Sequence, residues 1–314
     1  MTGETQTGTI HVAGNVNVDL ILGPLAQWPR IGTETLLPHY ELRVGGQAGN
    51  TGLALAALGA RHRVIANMGD DPLGRWLRDA FPATGHAWSH ASAPATVTVG
   101  LVHTDGERTF FTSVGHLSEF SPRQVLMQLP ARAEPGDVVL LCGLFLSPLL
   151  VEGGLGLCRQ ITERGFVIAL DTGWPVGGWD EVRETVAGLL PFVDHVLFNE
   201  LETLALSGAS DLDRAAAWFR TRTHPRASLV VKCGAEGARA WRNGEWAHCP
   251  APSVQVVDTV GAGDVFNAGY LLGMARGRSL ENSVRLGVAI ASRAISTSPR
   301  RYETGLAEPV SARP

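Results

Sequence analysis

The chain has 314 residues, 45% of them hydrophobic and 18% charged, the balance of a folded globular protein and not of a disordered one. Its net charge of −4 leaves no basic footprint for nucleic acid or an anionic membrane surface. The first nine residues hold no basic or apolar stretch that would read as a secretory signal, and the longest apolar run, Val138 to Val151, is too short to span a bilayer. Cys142, Cys158, Cys233 and Cys249 form no C-x-x-C pair and no zinc spacing, so they read as packed thiols of a cytoplasmic protein. Lys232 is the only lysine among 26 basic residues.

From the N-terminus, Thr9 to Gly14 reads as a short buried strand. A helix rich in Ala and Leu is expected over Gly45 to Ala60, opened by glycines. A strand at Arg63 to Asn67 and a helix at Pro72 to Phe81 follow, a β–α–β–α order that signals a parallel sheet. Thr96 to His103 and Glu107 to Ser113 are β-rich, with Asp105-Gly106 between them as a hairpin turn. Asp19 to Arg43 lacks a helical period and carries Pro24, Pro29 and Pro38. These two stretches are expected to form a small projecting β-sheet. Alternation resumes with strands near Val138–Cys142, Phe166–Asp171, Val193–Phe198 and Ser228–Lys232. A second hairpin is expected at Asn243-Gly244, and two helices, about Gly263–Arg276 and Leu280–Ser296, close the fold. The last ten residues are expected to fray.

Three motifs carry chemistry. Asp258-Thr259-Val260-Gly261-Ala262-Gly263-Asp264 places glycines before a helix, where free N–H groups and the helix dipole favour an anion. Asp264, in the first turn, can take a proton from an attacking hydroxyl. An anion cradle beside a base is what phosphoryl transfer to an alcohol requires; a glycine turn capped by Asp is the plainer reading. Gly45-Gly46-Gln47-Ala48-Gly49-Asn50 would let a ligand approach the backbone, and Asn50 can donate to and accept from a hydroxyl. Asn199 and Glu202, just past a strand, are oxygen donors suited to hydrated Mg²⁺, or else a capped helix start.

Other nucleotide motifs are missing. No G-x-x-x-x-G-K-[ST] occurs, and Lys232 is followed by Cys233. The first strand leads into Val12-Ala13-Gly14-Asn15-Val16-Asn17, with one glycine where a dinucleotide fingerprint needs three. No G-x-S-x-G or H-E-x-x-H is present.

Together the motifs resemble those of the ribokinase-like carbohydrate kinases, the PfkB family. Asp258 to Asp264 fits the family's D-T-x-G-A-G-D signature at every fixed position. Gly45 to Gly59 is similar to its glycine-pair signature, and Asn199 and Glu202 match its N-x-x-E motif. The three fall in order across nearly the whole chain. The resemblance implies a three-layer α/β fold with a mostly parallel central sheet. It implies one kinase domain over residues 1–314, with a lid from about 16–44 and 95–115 that also forms a homodimer contact. It implies ATP-dependent phosphorylation of a primary hydroxyl of a fructose- or ribose-like sugar, with a nucleoside kinase or an inactive sugar-binding relative as alternatives.

The roles implied are specific. Asp264 would be the base, and the amides of Gly261, Ala262 and Gly263 the anion hole. Asp19, Gly46 and Asn50 would bind the sugar. Asn199, Lys232, Gly234 and Gly237 would line the ATP site, and Asn199 and Glu202 would hold Mg²⁺ through water. The substrate-contacting Glu of ribokinases is missing after Cys142-Gly143-Leu144, which turns the reading away from ribose. The stretch 295–300 lacks the Gly-Ala pair associated with a monovalent cation (K⁺) site, and Lys232 stands where Thr or Val is usual.

Overall fold

The structure is a computed structural model that describes residues 8–104, 107–298 and 300–302. The Asp105-Gly106 turn and the last ten residues lie outside the described residues, as does Pro299. In chain order the strands are β1 (Ile10–Gly14), β2 (Asn17–Leu25), β3 (His39–Gly45), β4 (His62–Gly69), β5 (His86–Ala91), β6 (Val97–His103), β7 (Arg108–Thr112), β8 (Val138–Cys142), β9 (Val167–Asp171), β10 (His195–Asn199), β11 (Ser228–Lys232), β12 (Ala238–Arg242) and β13 (Glu245–Cys249). The helices are α1 (Gln47–Ala57), α2 (Pro72–Asp79), α3 (Pro122–Gln128), α4 (Pro148–Glu152), α5 (Gly154–Glu163), α6 (Trp179–Leu189), α7 (Glu200–Ser207), α8 (Leu212–Arg220), α9 (Ala262–Ala275) and α10 (Leu280–Ile295).

Nine strands form one sheet in the order β13-β12-β11-β10-β9-β8-β1-β4-β5. The run from β11 to β5 is parallel, and β12 and β13 add an antiparallel edge. Residues on successive positions face opposite layers. In β8, Val138, Leu140 and Cys142 pack into one core, while Val139 and Leu141 pack into the other. The first core is closed by α1, α2, α9 and α10, the second by α3 to α8. Strands covered on both faces read as continuous apolar runs, which is why β8 and β11 were legible to the residue. β5 was not: His86-Ala-Trp-Ser-His-Ala91 is a mixed run at the sheet's edge.

A separate four-stranded sheet has the order β3-β2-β6-β7. Its register sorts two faces. Asp19 pairs with Arg43 and Thr98, and Thr98 pairs with Thr112. Asn17, Arg43, Phe110 and Arg108 share that face by period two. Leu20 pairs with Leu42 and Val99, and Val99 with Phe111, on the other face. Phe110 and Phe111, as neighbours on one strand, therefore point to opposite faces. Phe110 packs over Gly100 on the polar face.

α9 is buried almost throughout and lies against α10. Small residues make that approach possible. A Cβ on Gly269 would come within 2.9 Å of the Gly287 Cα and 3.0 Å of Ile290 Cδ1. Gly269→Ala is expected to lower stability by about 1–3 kcal/mol through overpacking. Urea denaturation at neutral pH reads the effect, and an unchanged midpoint would contradict the close packing.

Candidate active site

Asp171 ends β9, Asn199 ends β10 and Lys232 ends β11, so three polar side chains stand at the carboxyl edge of the main sheet. In open α/β sheets this edge is where ligands sit. α9 brings its N-terminus to the same edge. A cavity of about 770 Å³ lies between them, lined by these three residues, Glu202, Gly234, Gly237 and the segment Gly261 to Asp264.

The glycine loop is shaped by its backbone. Gly261 caps α9 at φ 73°, a left-handed conformation natural to glycine. An added Cβ would also crowd the Asn50 amide. Ala262 donates its N–H to the Thr259 carbonyl at 3.1 Å. Among the described residues none accepts from the N–H of Gly261 or Gly263. Of the three amides expected to hold an anion, that of Ala262 is thus engaged by the turn, and those of Gly261 and Gly263 are left open.

Asp264 is buried in the first turn of α9. Asn50 Nδ2 donates to its Oδ2 at 2.8 Å, and Thr51 Oγ1 donates to its backbone carbonyl at 3.1 Å. Burial, then the charge of Asp171, push its pKa up to about 6 against the opposing pull of Asn50, Lys232 and Gln47. Asp171 accepts from Lys232 Nζ at 2.5 Å and from Asn267 Nδ2 at 2.6 Å, both on Oδ2. Its Oδ1 is buried without a hydrogen-bond partner.

Asn199 and Glu202 form a capping box. Glu202 donates its N–H to Asn199 Oδ1 at 2.8 Å, and Asn199 donates its N–H to Glu202 Oε2 at 2.9 Å. The capped helix start is therefore realised, and the Asn199 side chain is engaged there. Both residues nevertheless line the cavity. Burial first, then Asp171, hold the Glu202 carboxyl above the usual range.

The small sheet meets the site through Asp19 and Arg43. Asn17 Nδ2 donates to Asp19 Oδ1 at 2.8 Å. A Cβ at Gly45 would overlap the Asp19 carboxylate, and one at Gly46 would overlap the Asn15 carbonyl, so the glycine pair makes room for β2. Burial raises Asp19 to about 6, although Arg43, the Asn17 bond and Arg300 act to lower it. Asp19 does not line the 770 Å³ cavity; it stands across Gly45 on the small-sheet side.

Asp258 joins the parts. Its carboxylate accepts from Arg43 at 2.6 Å, Arg300 at 2.7 Å and Arg108 at 3.4 Å. Arg300 also donates to the Val260 carbonyl. Burial works to raise the Asp258 pKa, but the Val260 N–H and the guanidiniums outweigh it and hold the carboxyl low.

Comparison with known proteins settles the family. A family description, pfkB family carbohydrate kinase, matches residues 9–302. The chain belongs to the pfkB family of carbohydrate kinases. A ribokinase from Haemophilus influenzae is 26% identical and covers 94% of this chain and 97% of its own. An aminoimidazole riboside kinase from Salmonella typhimurium is 31% identical, over 88% of this chain and 83% of its own. The crystal structure of an adenosine kinase from Sinorhizobium meliloti superposes with a TM-score of 0.78 at 26% identity, covering 95% of this chain and 97% of that one. A ribokinase structure from Thermotoga maritima gives the same TM-score at 21% identity, over 92% and 93% of the two chains, a likeness of fold. The protein is a sugar or nucleoside kinase of the pfkB family, with the expected large, mostly parallel sheet and small separate sheet.

Within this pfkB kinase, Gly261, Ala262, Gly263, Asp264, Asn199, Glu202, Lys232, Gly234 and Gly237 gather around one cavity. Asn50 joins them through Asp264, and Gly46 caps α1 beside Asn15. Asp171, Asn267, Gln47 and the arginines at Asp258 were not singled out from the sequence. Asp171 carried a usable signal, since it ends an expected strand at the ligand-binding edge. Arg43 and Asp258 are 215 residues apart, and no local pattern links them.

Proposed function

We propose that this kinase moves the terminal phosphate of ATP to a primary hydroxyl of a sugar, with Asp264 as the base. The observation that carries the reading is the buried Asp264 carboxyl at the N-terminus of α9, next to the open amides of Gly261 and Gly263. A base with its pKa near 6 is ionised at neutral pH yet basic enough to assist deprotonation. The two amides and the helix dipole face the anion. Asp19, Gly46 and Asn50 orient the sugar hydroxyls, and Gly234 and Gly237 border the nucleotide. One kinase domain carries all of these, with 16–44 and 95–115 as its lid. A nucleoside as acceptor is the second reading, favoured by the named activities of the Salmonella and Sinorhizobium relatives. An inactive sugar-binding role is disfavoured by the retention of Asp264, Gly261 and Gly263 in one arrangement.

The residues fit a hydrated Mg²⁺. Asp171 Oδ1 is buried without a partner, and Glu202 lines the cavity. These are hard oxygen donors, and Asn199 stands beside them. No cluster of three or more His, Cys, Asp or Glu able to hold a metal alone occurs among the described residues, which suits an ion that enters with nucleotide phosphates. The ion would supply charge neutralisation on those phosphates. At 295–300, Arg300 already brings a positive charge to Asp258 and the Val260 carbonyl, so we propose no K⁺ requirement. The direct test is ATP consumption over pentoses, hexoses, sugar acids and nucleosides, with and without Mg²⁺ and K⁺. No turnover with any acceptor would overturn the reading.

Asp264→Asn is expected to lower kcat by about 10²–10⁴ fold. In the wild type, kcat falls as the pH drops below about 6, because the base is then protonated. The Asn50 bond lowers this pKa, so Asn50→Ala moves the acid limb upward. A pH–rate profile checks both; an unchanged limb in Asn50→Ala would separate the limb from Asp264.

Asp19→Ala is expected to raise the acceptor KM by about 10–100 fold, from roughly 1.5–3 kcal/mol lost with a charged hydrogen bond. The ATP KM stays near its original value. Separate titrations with a melting curve check this, and parallel loss of both affinities with stability would make Asp19 a structural residue.

The outer face of the small sheet carries Leu42, Tyr40 and Phe111, all exposed, with Trp28 6.1 Å from Phe111. We assign this face as a homodimer contact, since an apolar sheet face of this kind calls for cover. Light scattering at micromolar concentration should give twice the chain mass; a monomer mass would refute it.

A further inference from the structure

One lysine serves the whole chain, and the fold delivers it to the cavity. Lys232 closes β11 opposite Asn199, and its stem runs beneath the first turn of α9. A Cβ on Gly263 would stand 3.3 Å from Nζ and 3.5 Å from Cδ. The ammonium therefore lies close to the backbone of Gly263 in the first turn of α9. It is anchored from one side only, by Asp171 Oδ2 at 2.5 Å, and Asn267 steadies the same oxygen at 2.6 Å. Among the described residues that line the 770 Å³ cavity, Lys232 is the sole basic one, and no arginine joins it. A polyphosphate entering this cavity meets three carboxyl groups, Asp171, Glu202 and Asp264, and one ammonium. Lys232 and Asp171 form a close ion pair at the cavity wall.

We propose that Lys232 Nζ touches the phosphate being transferred and is the kinase's own cation on it, with Asp171 as the residue that positions the ammonium. This rests on the kinase reading above. During transfer the acceptor oxygen bonds to the terminal phosphorus, and the bond from that phosphorus to the bridging oxygen breaks. The electron pair leaves on the nucleoside diphosphate, and the hydroxyl proton passes to Asp264. Lys232 neither gives nor takes a proton. It offsets charge on the moving group, as a compact cation does. A side chain at Gly263 would come within 3.3 Å of Nζ.

The alternative is that Lys232 only neutralises buried Asp171, and a chain with one lysine separates the two. The probe is an ATP analogue whose terminal phosphate carries an acyl group as a mixed anhydride, which acylates an amine in contact with that phosphate. Mass spectrometry of the intact folded protein should find the acyl group on Lys232, with excess ATP suppressing it at least about 10-fold. Lys232→Met should lower kcat by about 10²–10³ fold, the usual effect of losing one electrostatic contact to a transition state. Because that variant strands the Asp171 charge, the double variant Asp171→Asn/Lys232→Met removes the ion pair as a unit, and Asp171→Asn alone accounts for any loss through Mg²⁺. At saturating Mg²⁺ the double variant should be at least about 10² fold slower than Asp171→Asn, with the ATP KM little changed. A double variant as fast as Asp171→Asn, or acylation of Lys232 that ATP does not suppress, would overturn the assignment while leaving a working wild-type kinase intact. Wild-type protein that consumes no ATP and is not protected by it would overturn the kinase reading and this assignment together.

Discussion

Three guanidiniums converge on the carboxylate of Asp258, and the rest of the site is arranged around that junction. Arg43 and Arg108 come from the small sheet, and Arg300 comes from beyond α10. The glycine loop begins at Asp258, and the Val260 N–H bonds back to Asp258 at 2.9 Å. One side chain thus fixes the loop, orients the small sheet over it and ties down the stretch after α10. With the side chain 29% exposed, burial still works against the carboxylate's charge, and the Val260 N–H and the charge-assisted bonds outweigh it. Had Asp258 been fully buried, three guanidiniums would carry a desolvation penalty that one carboxylate could not offset.

The same loop illustrates how one segment serves backbone geometry and electrostatics together. Gly261 is glycine for its left-handed φ and for the closeness of Asn50, while Gly263 lies against the Lys232 side chain. Asn50 then spans from α1 to Asp264, so the two glycine signatures of the sequence are joined by a single amide–carboxylate bond. Asp264 opens a helix that is buried almost throughout, and the close seat of that helix on α10 depends on Gly269 and Gly287.

Much of this was legible in the sequence, for identifiable reasons. β8 and β11 were read to the residue because a strand buried on both faces is a bounded apolar run. The hairpin at Asn243-Gly244 was read from a dipeptide that tolerates positive φ at both positions, found here at 53° and 83°. Asp264, Asn50 and Gly261 were found because their motifs are local. Other features depend on contacts that no local window contains. Asp171 was legible as a strand end at the ligand-binding edge, but its pairing with Lys232, 61 residues on, was not. Ala262 belongs to the right motif, yet its N–H turns back to Thr259, a detail of backbone direction that a motif does not encode. Glu202 and Asn199 matched two readings at once, and the capping box shows that helix initiation and cavity lining are compatible uses of the same pair.

The burial of the nucleophiles has a practical side. All four cysteines are free and buried, and the one lysine is enclosed at the carboxyl edge. Among the described residues the outer surface thus offers no thiol and no side-chain amine, and its positive charge is carried by arginine, which resists acylation and alkylation. Maleimides, amine-reactive dyes and common cross-linkers find few places to react on the folded molecule. A single cysteine or lysine introduced on an exposed helix, for example α8, would be a near-unique attachment point. Fluorophores, spin labels or surfaces could be joined to it without removing any native cysteine or lysine.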